Sequence, residues 1–348
     1  MSDEHGVDLQ ALGPWMDDRG LGAGPITAGR LLGGGSQNRL LSFHRGDREY
    51  VLRLPPRHPR PTSNPAISRE VKFVDALADT AVPVPTIVAS CADETVLGGP
   101  VFYVMERVDG VNPTVELTPA HTADGRVRAM GMAAVDTLTE LGRLDYEALG
   151  LGGLGNPETF LERQVPRWLK ELESYRHSSG YPGPDLPGVD DVARWLTEHR
   201  PAAGRPGIMH GDYHLANLMF RRDSTQVAAV VDWEMATIGE PLLDLGWLVA
   251  TWPDGDDASM TGRIGKQGGL PGRAEIVRRY LDLTGADGDV VPWYAALACF
   301  KLGIVLEGTY ARACAGRADA RLGDMMHQHA QNLLRRAKTF MTADAATW

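Results

Sequence analysis

The stretch HGDYHLANLMF, His210 to Phe220, sets two histidines, an aspartate and an asparagine within residues 210–217 and closes on an apolar run. Three readings fit it. His210-x-Asp212-x-His214 has the spacing of a metal-ligand cluster, since on a β run all three side chains fall on one face. Asp212 and Asn217, taken with Asp232 in QVAAVVDWE, supply the oxygen set of phosphoryl transfer: a carboxylate for the attacking hydroxyl and hard ligands for Mg²⁺. A loop that merely caps a strand is the third. Zinc asks for a further ligand and ordering partners, and no matching downstream His/Cys pattern is present.

These residues need elements to hold them. Ile208 and Met209 form a short β run into the first motif, and the small apolar residues Val227 to Val231 deliver Asp232 at the end of a second. Upstream, Ile26 to Val108 reads as strand-rich. RLLGGGSQNRLLSFHRGDREYVLRLPP gives two or three β runs broken by glycines and an RGD turn. TSNPAISREVKFVDALADTAVPVP predicts one amphipathic helix, with Asn64 as N-cap, Pro65 at the first helical position and Ile67, Val71, Val74 and Leu77 at helical spacing. Two more strands follow around a Gly-Gly-Pro turn and end at Glu106 to Val108. From about Asp109 the chain is mostly helical, interrupted by the two short β runs; the stretch from Pro292 to Phe340 is the longest helical part.

Composition narrows the partners. At 348 residues and 43% apolar content, two lobes are expected. A net charge of −10 with no dense Lys/Arg run argues against nucleic acid. Three scattered cysteines, Cys91, Cys299 and Cys314, support neither a disulfide framework nor a zinc knuckle. The N-terminus lacks an apolar leader, and Lys301 interrupts WYAALACFKLGIVL well short of a membrane span. A cytoplasmic protein with no membrane partner is the expectation.

Three further features become informative only together. The turn Gly33-Gly34-Gly35-Ser36 would let backbone N–H groups approach phosphates, though alone it is an ordinary hairpin turn. Arg53 in YVLRLPP alternates with apolar neighbours, alone an exposed strand cation. Glu70 on the helix can reach a strand cation, alone a surface glutamate. Tyr213 and Trp233 read as packing residues.

With these residues in order, the chain resembles the aminoglycoside phosphotransferase and choline kinase group, relatives of the protein-kinase fold, from about Leu31 to Arg336. HGDYHLAN, VVDWEMATIGEPLLDLG and the hinge-like FYVMERV carry the likeness. More narrowly, YVLRLPP, DWEMATIGEPLLDLGWL and GTYAR resemble the kinase-like domains fused to some acyl-CoA dehydrogenases. The resemblance implies an α+β, bilobal fold: residues 1–108 as a nucleotide-binding lobe with a small antiparallel sheet and one helix, and 109–348 as a larger, mainly helical lobe.

It also implies ATP and Mg²⁺ as cofactors and a small molecule with a hydroxyl as acceptor. Asp212 would be the catalytic carboxylate; Asn217 and Asp232 would bind the metal. Gly34, Gly35 and Ser36 would cover the phosphates, Arg53 would contact them and Glu70 would steady Arg53. The backbone at Glu106 and Val108 would meet adenine. His210 and Asp244 would support the catalytic loop, and Tyr310 and Arg312 are candidates for an anionic acceptor, against bland readings as a core tyrosine and a surface arginine. Two departures stand out: Arg53 occupies the usual place of lysine, and the glycine turn lacks the spaced Gly-x-Gly-x-x-Gly. A small-molecule O-phosphotransferase is therefore expected, with a nucleotide-binding pseudo-kinase and a histidine-based metal hydrolase as alternatives.

Overall fold

The computed structural model describes residues 7–32, 38–57, 59, 61–253 and 260–343. The order along the chain starts with a short helix α1 (Leu12–Asp17), then strands β1 (Ile26–Leu31), β2 (Arg39–Arg45) and β3 (Arg48–Leu54). Helix α2 (Ser63–Leu77) and strands β4 (Ile87–Cys91) and β5 (Phe102–Glu106) complete the first lobe. The five strands form one antiparallel sheet in the order β1-β2-β3-β5-β4.

Strand β3 lies at its centre, and the two-residue period decides what each face does. Tyr50, Leu52 and Leu54 join Leu41, Phe43, Phe102 and Val104 in a core closed by Leu9, Leu12, Trp15 and Met16 from the N-terminal segment. Val51 and Arg53 turn to the other face, towards α2, where Ile67, Val101 and Tyr103 pack together. Helix α1 is an addition to the single helix expected in this lobe. Its signal is the spacing Leu9, Leu12, Trp15 and Met16, all buried against the sheet.

Helix α2 differs at its start. Its N-cap is Thr62, and Asn64 lies inside the first turn. The Asn64 side chain instead accepts from the Val101 N–H at 3.1 Å and donates to the Gly99 carbonyl at 3.0 Å, tying the helix to the β4–β5 connection. An asparagine with a tertiary partner has no need to serve the local N-cap. Further along, Phe73, Val74 and Leu77 belong to the core of the second lobe, so α2 bridges the two.

The second lobe contains α3 (Pro119–Thr122), α4 (Arg126–Arg143), α5 (Phe160–Ser174) and α6 (Val189–Glu198). Next come β6 (Gly207–Met209), β7 (Leu218–Phe220), β8 (Val227–Val230) and β9 (Thr237–Gly239), then α7 (Leu242–Thr251), α8 (Gly262–Gln267), α9 (Arg273–Thr284), α10 (Val291–Cys314) and α11 (Ala320–Met341). Two short strands were expected here and four are present among the described residues. β7 and β9 span only three residues each, too few for periodicity to register. Helix α10 is long and apolar enough by composition to cross a membrane, yet 78% of its most apolar window is buried inside the protein, packed by α5, α6, α7 and α11.

Candidate active site

The four short strands exist to hold two loops side by side. β6 pairs with β9 and β7 with β8, so the loop 210–217 between β6 and β7 lies against the loop 231–236 between β8 and β9. Cross-links fasten them: the Val231 N–H donates to the Asn217 carbonyl at 2.9 Å, and His210 Nε2 donates to the Val231 carbonyl at 3.0 Å. Because β6 ends at Met209, His210, Asp212 and His214 sit in a loop, and the one-face argument for a metal cluster does not apply.

His210 is fully buried with both ring nitrogens engaged, Nδ1 accepting the Asp212 N–H at 3.3 Å. Burial pushes its pKa down, so it serves as a neutral brace. Asp244, at the start of α7, accepts from the His210 N–H at 2.6 Å and the Gly211 N–H at 2.8 Å. Burial raises its pKa to about 7, against the pull of those two amides.

Asp212 follows this anchored turn, its side chain 24% exposed. Asn217 Nδ2 donates to its Oδ2 at 3.0 Å and to its carbonyl at 2.9 Å, while His214 Nε2 lies 3.2 Å from its Oδ1. Burial raises the Asp212 pKa, but His214 and the Asn217 amide outweigh it and the net shift is downward, leaving an ionised base. His214 is held by the Ala216 N–H, which donates to Nδ1 at 3.2 Å. Its contact with Asp212 was not foreseen, although it belongs to the same motif.

Asp232 turns its backbone to φ 70°, the one left-handed non-glycine conformation among the described residues. Aspartate tolerates this region better than most residues, and functional sites collect such strain. The turn brings its carboxylate to Arg53, whose guanidinium donates from Nη2 to Asp232 Oδ1 at 2.6 Å and from Nε to Glu70 Oε2 at 2.8 Å. Glu70 also accepts the Trp233 N–H at 3.2 Å. Arg53 and Glu70 are buried, 4% and 1% exposed, so both depart from their bland surface readings. Burial pushes Glu70 up to about 6 despite Arg53. Glu234 is pushed up to about 8 by burial and by Asp232, and it accepts from Asn38 Nδ2 at 2.6 Å. Neither Glu234 nor Asn38 was singled out from sequence.

Gly34, Gly35 and Ser36 lie outside the described residues. The Glu106 N–H is taken by the Thr86 carbonyl at 2.9 Å, and Val108 follows in the open connection between lobes. Tyr310 and Arg312 lie on the last turns of α10. Tyr310 packs on the His327 ring at 4.6 Å, and Arg312 donates to Thr309 Oγ1 at 2.8 Å.

The donor set suits a hard cation. No described residue donates to Asn217 Oδ1, and one Asp232 oxygen remains beyond the Arg53 contact. Among the described residues no group of three or more His, Cys, Asp or Glu side chains could by itself hold a metal. Asn217 Oδ1 and the Asp232 carboxylate are oxygen donors of the kind that suits Mg²⁺, which takes few protein oxygens and completes its shell with water and phosphate.

Comparison with known proteins agrees with this geometry. The family model described as "Phosphotransferase enzyme family" matches residues 28–277. The chain belongs to that family. A crystal structure of a Ralstonia eutropha protein assigned to the aminoglycoside phosphotransferases is 30% identical, with a TM-score of 0.76, over 97% of this chain and 98% of the other. Human acyl-CoA dehydrogenase family member 11 is 32% identical over 81% of this chain and 36% of its own length. The chain thus spans about a third of the length of the curated relatives it matches. A ternary complex of the aminoglycoside phosphotransferase APH(4)-Ia with ADP and hygromycin B shares the fold at 14% identity and a TM-score of 0.59, over 93% of this chain and 98% of the other. The bilobal kinase-like architecture of this phosphotransferase family is thereby shown.

Proposed function

We propose that the protein transfers the γ-phosphoryl group of ATP to a hydroxyl of a small molecule. The observation that carries this reading is the convergence of Asp212, Asn217, Asp232 and Arg53 on one site from three separate sequence segments. Asp212 accepts the acceptor hydroxyl's proton as its oxygen bonds to γ-phosphorus and the bond to the β–γ bridging oxygen breaks, releasing ADP. Each Asp212 oxygen already takes one donor, which orients the carboxylate and leaves lone pairs for the incoming hydroxyl. Arg53, steadied by Glu70, faces the phosphates. Asn217 Oδ1 and Asp232 would hold Mg²⁺, which when bound neutralises phosphate charge.

Likeness to the acyl-CoA dehydrogenase relatives favours a hydroxyacyl-CoA-like acceptor over an aminoglycoside-like one. A second reading, a nucleotide-binding pseudo-kinase, is favoured by one observation: Arg53 replaces lysine and is engaged by Asp232 at 2.6 Å. ADP release measured with a panel of hydroxylated metabolites separates the two. Acceptor-dependent release that Asp212→Ala lowers by about a hundredfold or more supports transfer. Nucleotide binding without turnover on any acceptor supports the module, and turnover that needs zinc but no ATP overturns both.

A further inference from the structure

The chain crosses from the first lobe to the second through residues 107–115, and this connection runs against the segment that leaves the loop 210–217. Val111 pairs antiparallel with Phe220 of β7, each N–H donating to the other's carbonyl at 2.8 Å. A Cβ at Gly110 would come within 2.9 Å of the Phe220 carbonyl oxygen, so the two backbones are in close approach. On the far side, the Ile264 and Arg263 N–H groups of α8 donate to the Pro113 and Thr114 carbonyls at 3.0 and 2.8 Å.

Asn112 stands between these ties, and the two ends of its amide do different things. Oδ1 accepts the Thr114 N–H at 3.0 Å and the Thr114 hydroxyl at 2.7 Å, a local turn that fixes the plane of the amide. Nδ2 donates to the Ala216 carbonyl at 2.6 Å. The neighbouring carbonyls of His214, Leu215 and Asn217 accept the N–H groups of Asn217, Leu218 and Val231. The Ala216 carbonyl is instead taken by this side chain, and its planar peptide leads directly into Asn217. Asn217 Nδ2 is committed to the Asp212 carbonyl and Oδ2, so the direction in which Oδ1 faces follows from how that peptide is set.

We propose that Asn112 is a positioning residue: its hydrogen bond to the Ala216 carbonyl sets the Ala216–Asn217 peptide, and thereby aims Asn217 Oδ1 at the divalent cation while Asn217 Nδ2 holds Asp212. Its consequence for metal and turnover rests on the phosphotransferase reading. A side chain that orients a metal ligand through a hydrogen bond commonly controls metal affinity or activity by about 10–100-fold.

The experiment uses the full chain as wild type, Asn112→Asp and Asn112→Ala. Aspartate keeps an acceptor for both Thr114 donors but sets its second oxygen against the Ala216 carbonyl; alanine removes every one of these contacts. Exchange of the Asn217 Nδ2 protons is followed by NMR in the chain without ligands. Mn²⁺ affinity is measured by electron paramagnetic resonance with ADP present, and the Mg²⁺ requirement by ADP release from ATP. Asn112→Asp is expected to speed the Asn217 exchange and to weaken Mn²⁺ and raise the Mg²⁺ requirement by about tenfold or more, with the affinity for ADP alone unchanged. Asn112→Ala should act in the same direction to a smaller degree, because water can take the vacated place. Wild-type Asn217 exchange or wild-type Mn²⁺ affinity in Asn112→Asp, even with a lowered melting point, overturns the proposal. Should neither variant fold, the wild-type Asn112 Nδ2 protons decide: exchange that slows when Mg²⁺ and ADP are added supports it, and no response overturns it. The Asn217 readout needs neither metal nor turnover, so a chain that binds no nucleotide condemns the phosphotransferase reading while still deciding the role of Asn112.

Discussion

At the scale of single residues, the site depends on two backbone conformations as much as on side-chain chemistry. Gly211 has φ +85°, and a Cβ there would come within 2.5 Å of the Met235 carbonyl oxygen. Gly211→Ala therefore suffers both left-handed strain and a clash between the two loops that must stay together. It should lose about 2 kcal/mol or more of stability. Any folded fraction should have at least tenfold lower turnover. Thermal unfolding with matched kinetics checks this, and an unchanged melting point with full activity would refute it. The motif residues were legible because phosphoryl transfer limits which side chains can serve. The positive φ of Asp232, the Asp212–His214 contact and the Asn38–Glu234 bond were not. Each depends on where two distant loops come to rest, which local spacing does not encode.

At the scale of elements, α2 decides how the first lobe meets the second. Arg69 donates to the Ala236 carbonyl at 2.7 Å and the Leu154 carbonyl at 2.7 Å, and the next residue, Glu70, joins Arg53 to the Trp233 amide. Burial of Glu70 has a pH signature. Its pKa rises from 4.5 to about 6 in the folded protein, so between those values the folded state binds more protons than the unfolded one. Stability from this group is present below about 4.5 and falls as pH rises through about 6, by about 2 kcal/mol. Relative to wild type, Glu70→Gln should therefore gain about 2 kcal/mol between pH 4 and 7 while weakening nucleotide binding through a loosened Arg53. Chemical denaturation at the two pH values tests this; a difference independent of pH would disprove it. Periodicity revealed α2 and the mostly helical character of the chain beyond Asp109, because an amphipathic helix shows water one face. It gave no separate signal for α7, whose residues Leu243 to Thr251 are all buried and leave no polar stripe, nor for the three-residue strands β7 and β9.

At the scale of the whole molecule, the lobes are joined through the groups that would have to receive nucleotide and metal. Arg53 belongs to β3 of the first lobe and Asp232 to the β8–β9 loop of the second, and they neutralise each other at 2.6 Å. A divalent cation arriving alone must break that pair and leave Arg53, 4% exposed, facing Glu70 and, at 3.9 Å, Glu234. Nucleotide arriving alone must draw Arg53 away and leave the Asp232 carboxylate beside incoming phosphates. Only together do the two ligands replace both lost partners, phosphate oxygens for Arg53 and the metal for Asp232. Mg²⁺ and ATP should therefore bind with positive coupling of about tenfold or more, within the usual range for linked sites. In thermal unfolding, millimolar Mg²⁺ alone should shift the midpoint little. Mg·ATP at a hundred times its dissociation constant should add about 2.7 kcal/mol, or roughly 2–4 °C for a domain of this order. In Asp232→Asn the coupling should collapse, because Arg53 is then released without a charged rival and ATP no longer needs the metal to displace one. A full shift from Mg²⁺ alone, or equal coupling in Asp232→Asn, would show that the Arg53–Asp232 pair does not gate the cleft.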